Sequence, residues 1–65
     1  MLDKRMLNAE IAKNGLTKRE LCKKIGMAQS TFVRKVRTGI FKTNEVEAII
    51  SVLNIKNPSE IFFAN

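Results

Sequence analysis

The 65-residue chain contains no histidine, no tyrosine and no tryptophan, and only one cysteine and one proline. A lone cysteine cannot close an internal disulfide, and without histidine a zinc site of Cys and His ligands is excluded. Six scattered carboxylates offer no positioned base, nucleophile or metal cage, so the composition speaks against hydrolytic or redox catalysis and predicts no cofactor and no small-molecule ligand. Apolar runs are only a few residues long, far short of the ~20 needed to cross a bilayer. No charged leader precedes an apolar stretch, so a cytoplasmic protein is expected. No alternation of apolar and polar residues marks a strand.

What is present fits a small folded unit. A chain of this size buries only about 60% of the surface its unfolded state exposes, which leaves a small core, marginal stability and little room for an enzyme cleft. Hydrophobic residues make up 45% and charged residues 28%, with no low-complexity run or repeat, so residues 1–65 are read as one globular domain.

Acids are almost missing from the middle of the chain. From Lys13 to Lys42 there are nine bases and one acid, Glu20, a net charge of +8, whereas the remainder has three bases and five acids, a net charge of −2. Solubility alone would not segregate charge in this way. The asymmetry favours an anionic partner, nucleic acid first, then an acidic protein surface, then an anionic membrane.

Helical spacing organises the rest. Leu2, Met6 and Ala9, with Leu7 and Ile11 beside them, predict a first helix from about Leu2 to Lys13, ended by Asn14-Gly15. Thr17-Lys-Arg-Glu20 has the capping-box form: the threonine hydroxyl accepts from the N–H three residues on, and the glutamate reaches back to the threonine N–H. A short helix from Lys18 to Ile25 follows, with Leu21 and Ile25 inward, Cys22 alongside, and Gly26 as its stop. After a three-residue connection, a third helix is expected over about Gln29 to Arg37, with Phe32 and Val36 inward and Gly39 as terminator. A fourth begins near Thr43 or Asn44, where Asn44 and Glu47 offer another capping box; its face of Val46, Ile49, Ile50 and Leu53 is the expected centre of the core. Asn57-Pro-Ser-Glu60 repeats the start signal and opens a last helix carrying Ile61, Phe62 and Phe63.

Two short helices joined by a tight glycine-containing turn, with a basic middle, form the helix-turn-helix pattern. Leu16-Thr-Lys-Arg-Glu-Leu-Cys-Lys-Lys-Ile-Gly-Met27 resembles the lambda-repressor-like family of phage repressors, Cro proteins and small bacterial regulators. That family's pattern of leucine, capping threonine, Glu and Leu, a small residue, then an apolar residue before glycine is met by Leu16, Thr17, Glu20, Leu21, Cys22, Ile25 and Gly26. Ser30-Thr-Phe-Val-Arg-Lys-Val-Arg-Thr-Gly39 looks like the second helix of phage-borne members, and the closing helices extend the likeness over nearly the whole chain. Two places depart from the pattern. Ala28 stands where a serine or threonine usually caps the second helix, so that cap is absent or the helix start is shifted by a residue. Phe32 and Val36 are four apart, leaving Lys35 where an apolar residue is usual and rotating the exposed face.

The resemblance implies an all-α, compact four- or five-helix DNA-binding domain with its helix-turn-helix at about 17–38. It also implies a role as a sequence-specific transcriptional regulator that occupies a double-stranded DNA operator. In that docking mode the first turn of the second helix goes deepest into the major groove. Gln29 would then pair with adenine, Arg34 with guanine, and Val33 would meet a thymine methyl, with Ser30 as a further base contact. Thr17, Lys18, Arg37 and Lys42 would hold phosphates, which need charge without exact geometry. Lys13, Lys23 and Lys24 are equally well read as phosphate contacts or as solvated surface. Cys22 is read as a small packing residue. A homodimer, formed in solution or only on DNA, is expected because one such unit buries little surface on a duplex. Either Phe62 or Phe63 should turn inward, leaving the other, taken as Phe63, for a two-fold patch. The rival reading is a protein-binding helix-turn-helix module, a modulator or antirepressor acting on another regulator or RNA polymerase. An amphipathic membrane-surface peptide fits less well, since the apolar faces are needed for the core.

Overall fold

The computed structural model describes residues 2–63, and among them the chain is helical with no strand. The five helices are α1 (Lys4–Lys13), α2 (Lys18–Ile25), α3 (Gln29–Thr38), α4 (Thr43–Leu53) and α5 (Pro58–Phe62). No helix among the described residues is long and apolar enough to cross a membrane.

Capping decides where these helices begin. Helix α1 starts at Lys4, later than the spacing from Leu2 implied, because the Asp3 carboxylate accepts from the N–H groups of Arg5 and Met6, each at 3.1 Å. Leu2 therefore lies outside the helix, buried in the core, while the Asp3 N–H donates to the Ile61 carbonyl at 2.6 Å and ties the first segment to α5. Within α1 the inward residues are Leu7 and Ile11; Met6 and Ala9 face solvent. At α2 the expected capping box is complete, with Glu20 N–H to Thr17 Oγ1 at 3.1 Å and Thr17 N–H to Glu20 Oε1 at 2.9 Å.

Helix α4 begins at Thr43, as expected, but its cap differs: Asn44 and Glu47 form no box, and Glu45 accepts from the Lys42 N–H at 2.7 Å. Lysine has no acceptor to return the bond, so only the carboxylate half of a capping box is made here. At α5 the Asn57 side chain does not cap either. Its backbone carbonyl accepts from Glu60 N–H at 3.2 Å, and Pro58 sets the first helical φ.

One continuous core joins all five helices. Helix α2 packs on α4 and α3, and α1 packs on α5. Leu7, Leu21, Phe32, Ile49 and Leu53 are fully buried, and burying each such side chain contributes about 1.5 to 3 kcal/mol. Cys22, Ile55, Ile61 and Phe62 complete the interior, with Val36, Val46 and Ile50 half-buried at its edge. Outside every helix, Phe41 packs edge-on between Phe32 and Phe62, with ring centroids 6.0 and 6.2 Å away. The ends of α1 and α4 are joined by Asn14, whose side-chain amide donates to the Glu10 carbonyl at 2.8 Å and to the Leu53 carbonyl at 3.0 Å.

Candidate nucleic-acid interface

The basic segment folds into α2, a three-residue connection and α3. Gly26 ends α2 in the left-handed region at φ 70°, a conformation open to glycine without the Cβ penalty, and Met27 N–H returns to the Cys22 carbonyl at 2.9 Å. Ala28 takes the cap position of α3 with no side-chain hydrogen bond, so the helix start is not displaced: it begins at Gln29, and its first N–H groups have no side-chain acceptor.

Phe32 fixes how α3 is turned. With that ring buried, Gln29, Ser30, Val33 and Arg34 are all exposed, and Val33, an apolar residue, is left 50% exposed among polar neighbours. Arg37 is exposed on the same helix. Thr17 and Lys18 are exposed at the start of α2, and Lys42 at the cap of α4. The Thr17 oxygen is occupied by the Glu20 N–H.

Electrostatics follow from what these bases lack. Among the described residues the one ion pair joins Lys35 and Glu45; Lys18, Arg19, Lys23, Lys24, Arg34, Arg37 and Lys42 have no carboxylate within 4.0 Å. Glu20, the only acid in the segment, is held below its ordinary carboxylate value mainly by the N–H and hydroxyl of Thr17, with Lys24 and Lys23 adding to the effect. The surface is therefore rich in donors and positive charge and poor in acceptors.

Lys35 turns inward from the exposed face and meets Glu45, with both side chains 16% exposed. The Lys35 ammonium first, and the Lys42 N–H second, hold the Glu45 carboxyl below its ordinary value. Neither Glu45 nor the Lys35 pairing was legible in the sequence: the partners are ten residues apart on different helices, and a cap beginning with lysine carries no start signal. Phe41 was missed for a related reason, since it belongs to no helical stripe.

Such a face can do particular chemistry. Arg34 offers a planar fork of N–H donors, Gln29 a donor beside an acceptor, and Val33 methyl groups, on a basic segment whose other cations have no carboxylate partner among the described residues, apart from Lys35. The combination suits a polyanion that also presents hydrogen-bonding edges and apolar groups. Comparison of the chain with protein-family models, curated proteins and solved structures finds no match.

Proposed function

We propose that the chain is a sequence-specific double-stranded DNA-binding transcriptional regulator of the phage repressor and Cro type. In this reading its fold is lambda-repressor-like, α2 and α3 form the helix-turn-helix, and α3 is the recognition helix in the major groove. One observation carries the reading: Gln29, Ser30, Val33 and Arg34 share the exposed face of α3 while Phe32 anchors the opposite face in the core. The bases around that face, which have no carboxylate partner among the described residues, support it. Gln29 reads adenine, Arg34 guanine and Val33 a thymine methyl, with Ser30 assisting; Thr17, Lys18, Arg37 and Lys42 clamp phosphates. Two copies bind two half-sites about 34 Å apart.

A second reading is favoured by a different observation. Ile40 and Phe63 are 72% and 70% exposed, an unusual pair of large apolar side chains to leave in water, and they suit a protein partner such as another regulator or RNA polymerase. That module would show no preference among DNA sequences.

Selection of bound duplexes from a random pool separates the two. The DNA reading expects an enriched sequence and a log affinity that falls with log salt by about 0.9 per phosphate neutralised. On the selected site, Gln29→Ala and Arg34→Ala should each cost ~1 to 3 kcal/mol and relax preference at particular base pairs, whereas Lys18→Ala should weaken all sequences alike. Uniform losses from all three variants would overturn the base assignments.

A further inference from the structure

The connection between α3 and α4, residues 39–42, is held at three of its four residues. Gly39 donates its N–H to the Lys35 carbonyl at 2.7 Å, Phe41 is packed between Phe32 and Phe62, and the Lys42 N–H donates to Glu45 Oε1 at 2.7 Å. Ile40, between them, is exposed. The other oxygen of the same carboxylate, Oε2, takes the Lys35 ammonium. One side chain thus holds α3 on one oxygen and the backbone at Lys42 on the other, while the Lys42 side chain stays exposed and without an acidic partner among the described residues.

We propose that Glu45 is a positioning residue for DNA binding: by tying the Lys42 backbone to Lys35 of α3, it sets the 39–42 connection so that Lys42 meets a phosphate of the duplex that α3 reads. The inference rests on the DNA-binding reading above. Glu45 does not touch DNA; an acid there opposes the polyanion, and its effect runs wholly through Lys42. Charge alone would make Glu45 a liability at such a surface, since its removal raises the net positive charge. The two oxygens give it two separable functions, an ion pair between helices and an acceptor for one backbone N–H.

Substitutions divide these functions. Glu45→Gln keeps an oxygen for the Lys42 N–H and loses the ion pair. The charge exchange Lys35→Glu with Glu45→Lys keeps a pair and the net charge, yet leaves no acceptor for that N–H, because lysine cannot accept. Glu45→Ala loses both and serves the same comparison if the exchanged protein fails to fold, with a thermal melt reporting folding in every case.

The measurement is the salt dependence of binding to a selected duplex, with and without Lys42→Ala. In the wild type and in Glu45→Gln, Lys42→Ala should make the log–log slope shallower by about 0.9, one phosphate contact. In the exchanged protein, and in Glu45→Ala, the slope should already be shallower by that amount, and Lys42→Ala should change nothing further. Full sensitivity to Lys42→Ala in those folded backgrounds overturns the positioning role while DNA binding stands. So does a wild type whose slope ignores Lys42→Ala. A folded wild type that binds no duplex overturns both readings together.

Discussion

The ring of Phe41 stands edge-on to that of Phe32, with centroids 6.0 Å apart and planes at 61°, and its other neighbour is Phe62 at 6.2 Å and 85°. A residue outside every helix therefore joins α3 to α5. Edge-to-face pairs contribute about 0.5 to 1.5 kcal/mol each beyond simple burial, so Phe41→Leu, which keeps an apolar side chain and loses both pairs, should cost ~1 to 3 kcal/mol. Urea unfolding measures this as a lowered midpoint with an unchanged slope. A midpoint equal to the wild type would show that the rings only fill space.

Acid should weaken the fold through Glu45. Its folded pKa lies below the ordinary value of 4.5, so the carboxylate's contribution is complete above that value and is lost as the pH falls through the lowered one. Glu20 shifts in the same direction and adds to the loss. Urea midpoints at about pH 7 and about pH 3 should differ more for the wild type than for Glu45→Gln, which has no proton to take up at that site. Equal losses in the two proteins would remove Glu45 from the account.

Cys22 is buried on the inner face of α2, and burial pushes its thiol pKa up. The folded protein should resist a thiol reagent at neutral pH and react fully once denatured, since the thiolate is the reactive form. Cys22→Ala should fold nearly normally, whereas Cys22→Leu forces extra methyl groups into a filled site and should cost ~1 to 3 kcal/mol. Rapid labelling of the native chain would contradict this placement.

Val33 permits a test at the level of one methyl group. If the proposed DNA-binding reading holds, replacing the thymine that Val33 would face by uracil removes only the C5-methyl, and burial of such a group is worth about 0.8 kcal/mol. The wild type should lose roughly that much, a three- to fivefold drop in affinity, and Val33→Ala should lose less than the wild type on the same exchange. If every thymine in the selected site can be exchanged without effect, Val33 reads no base.

Phe62 is turned into the core and Phe63 outward, as the position of the two rings near the end of α5 implied. Phe63→Ser should weaken pairing of two copies on a palindromic duplex without unfolding the chain. Sedimentation with and without the duplex measures it, and equal dimer formation by both proteins would exclude this patch as the two-fold contact.

The parts of the fold that the sequence made legible are those governed by neighbours within four residues. Thr17 and Glu20 form their box because both partners lie on one turn, and Gly26 and Gly39 end helices at φ 70° and 75° because the backbone there needs the left-handed region. The exposure of Gln29, Ser30, Val33 and Arg34 followed from placing Phe32 inward. What stayed hidden was fixed by distant partners. Asn44 and Glu47 satisfy the local spacing rule as well as any pair, yet the cap of α4 falls two residues earlier, at Lys42, where Glu45 accepts the backbone N–H and also meets Lys35 on another helix. Leu2 reads as helical by spacing, but Asp3 caps α1 after it and the Ile61 carbonyl holds the segment in place. Lys35 reads as a base in a place usually apolar, and only the fold brings Glu45 to it.

The row of three rings has a consequence for how the protein moves. The helices are 10, 8, 10, 11 and 5 residues long, each below the ~12 to 15 residues at which an isolated helix becomes marginally stable in water. None can outlive the contacts it makes with the others. Because Phe41 binds the middle of α3 to α5 through Phe32 and Phe62, neither helix can open without exposing aromatic surface on the other. Backbone amides in the centres of the two helices should therefore exchange with solvent deuterium through one shared opening, at the free energy of unfolding the whole chain.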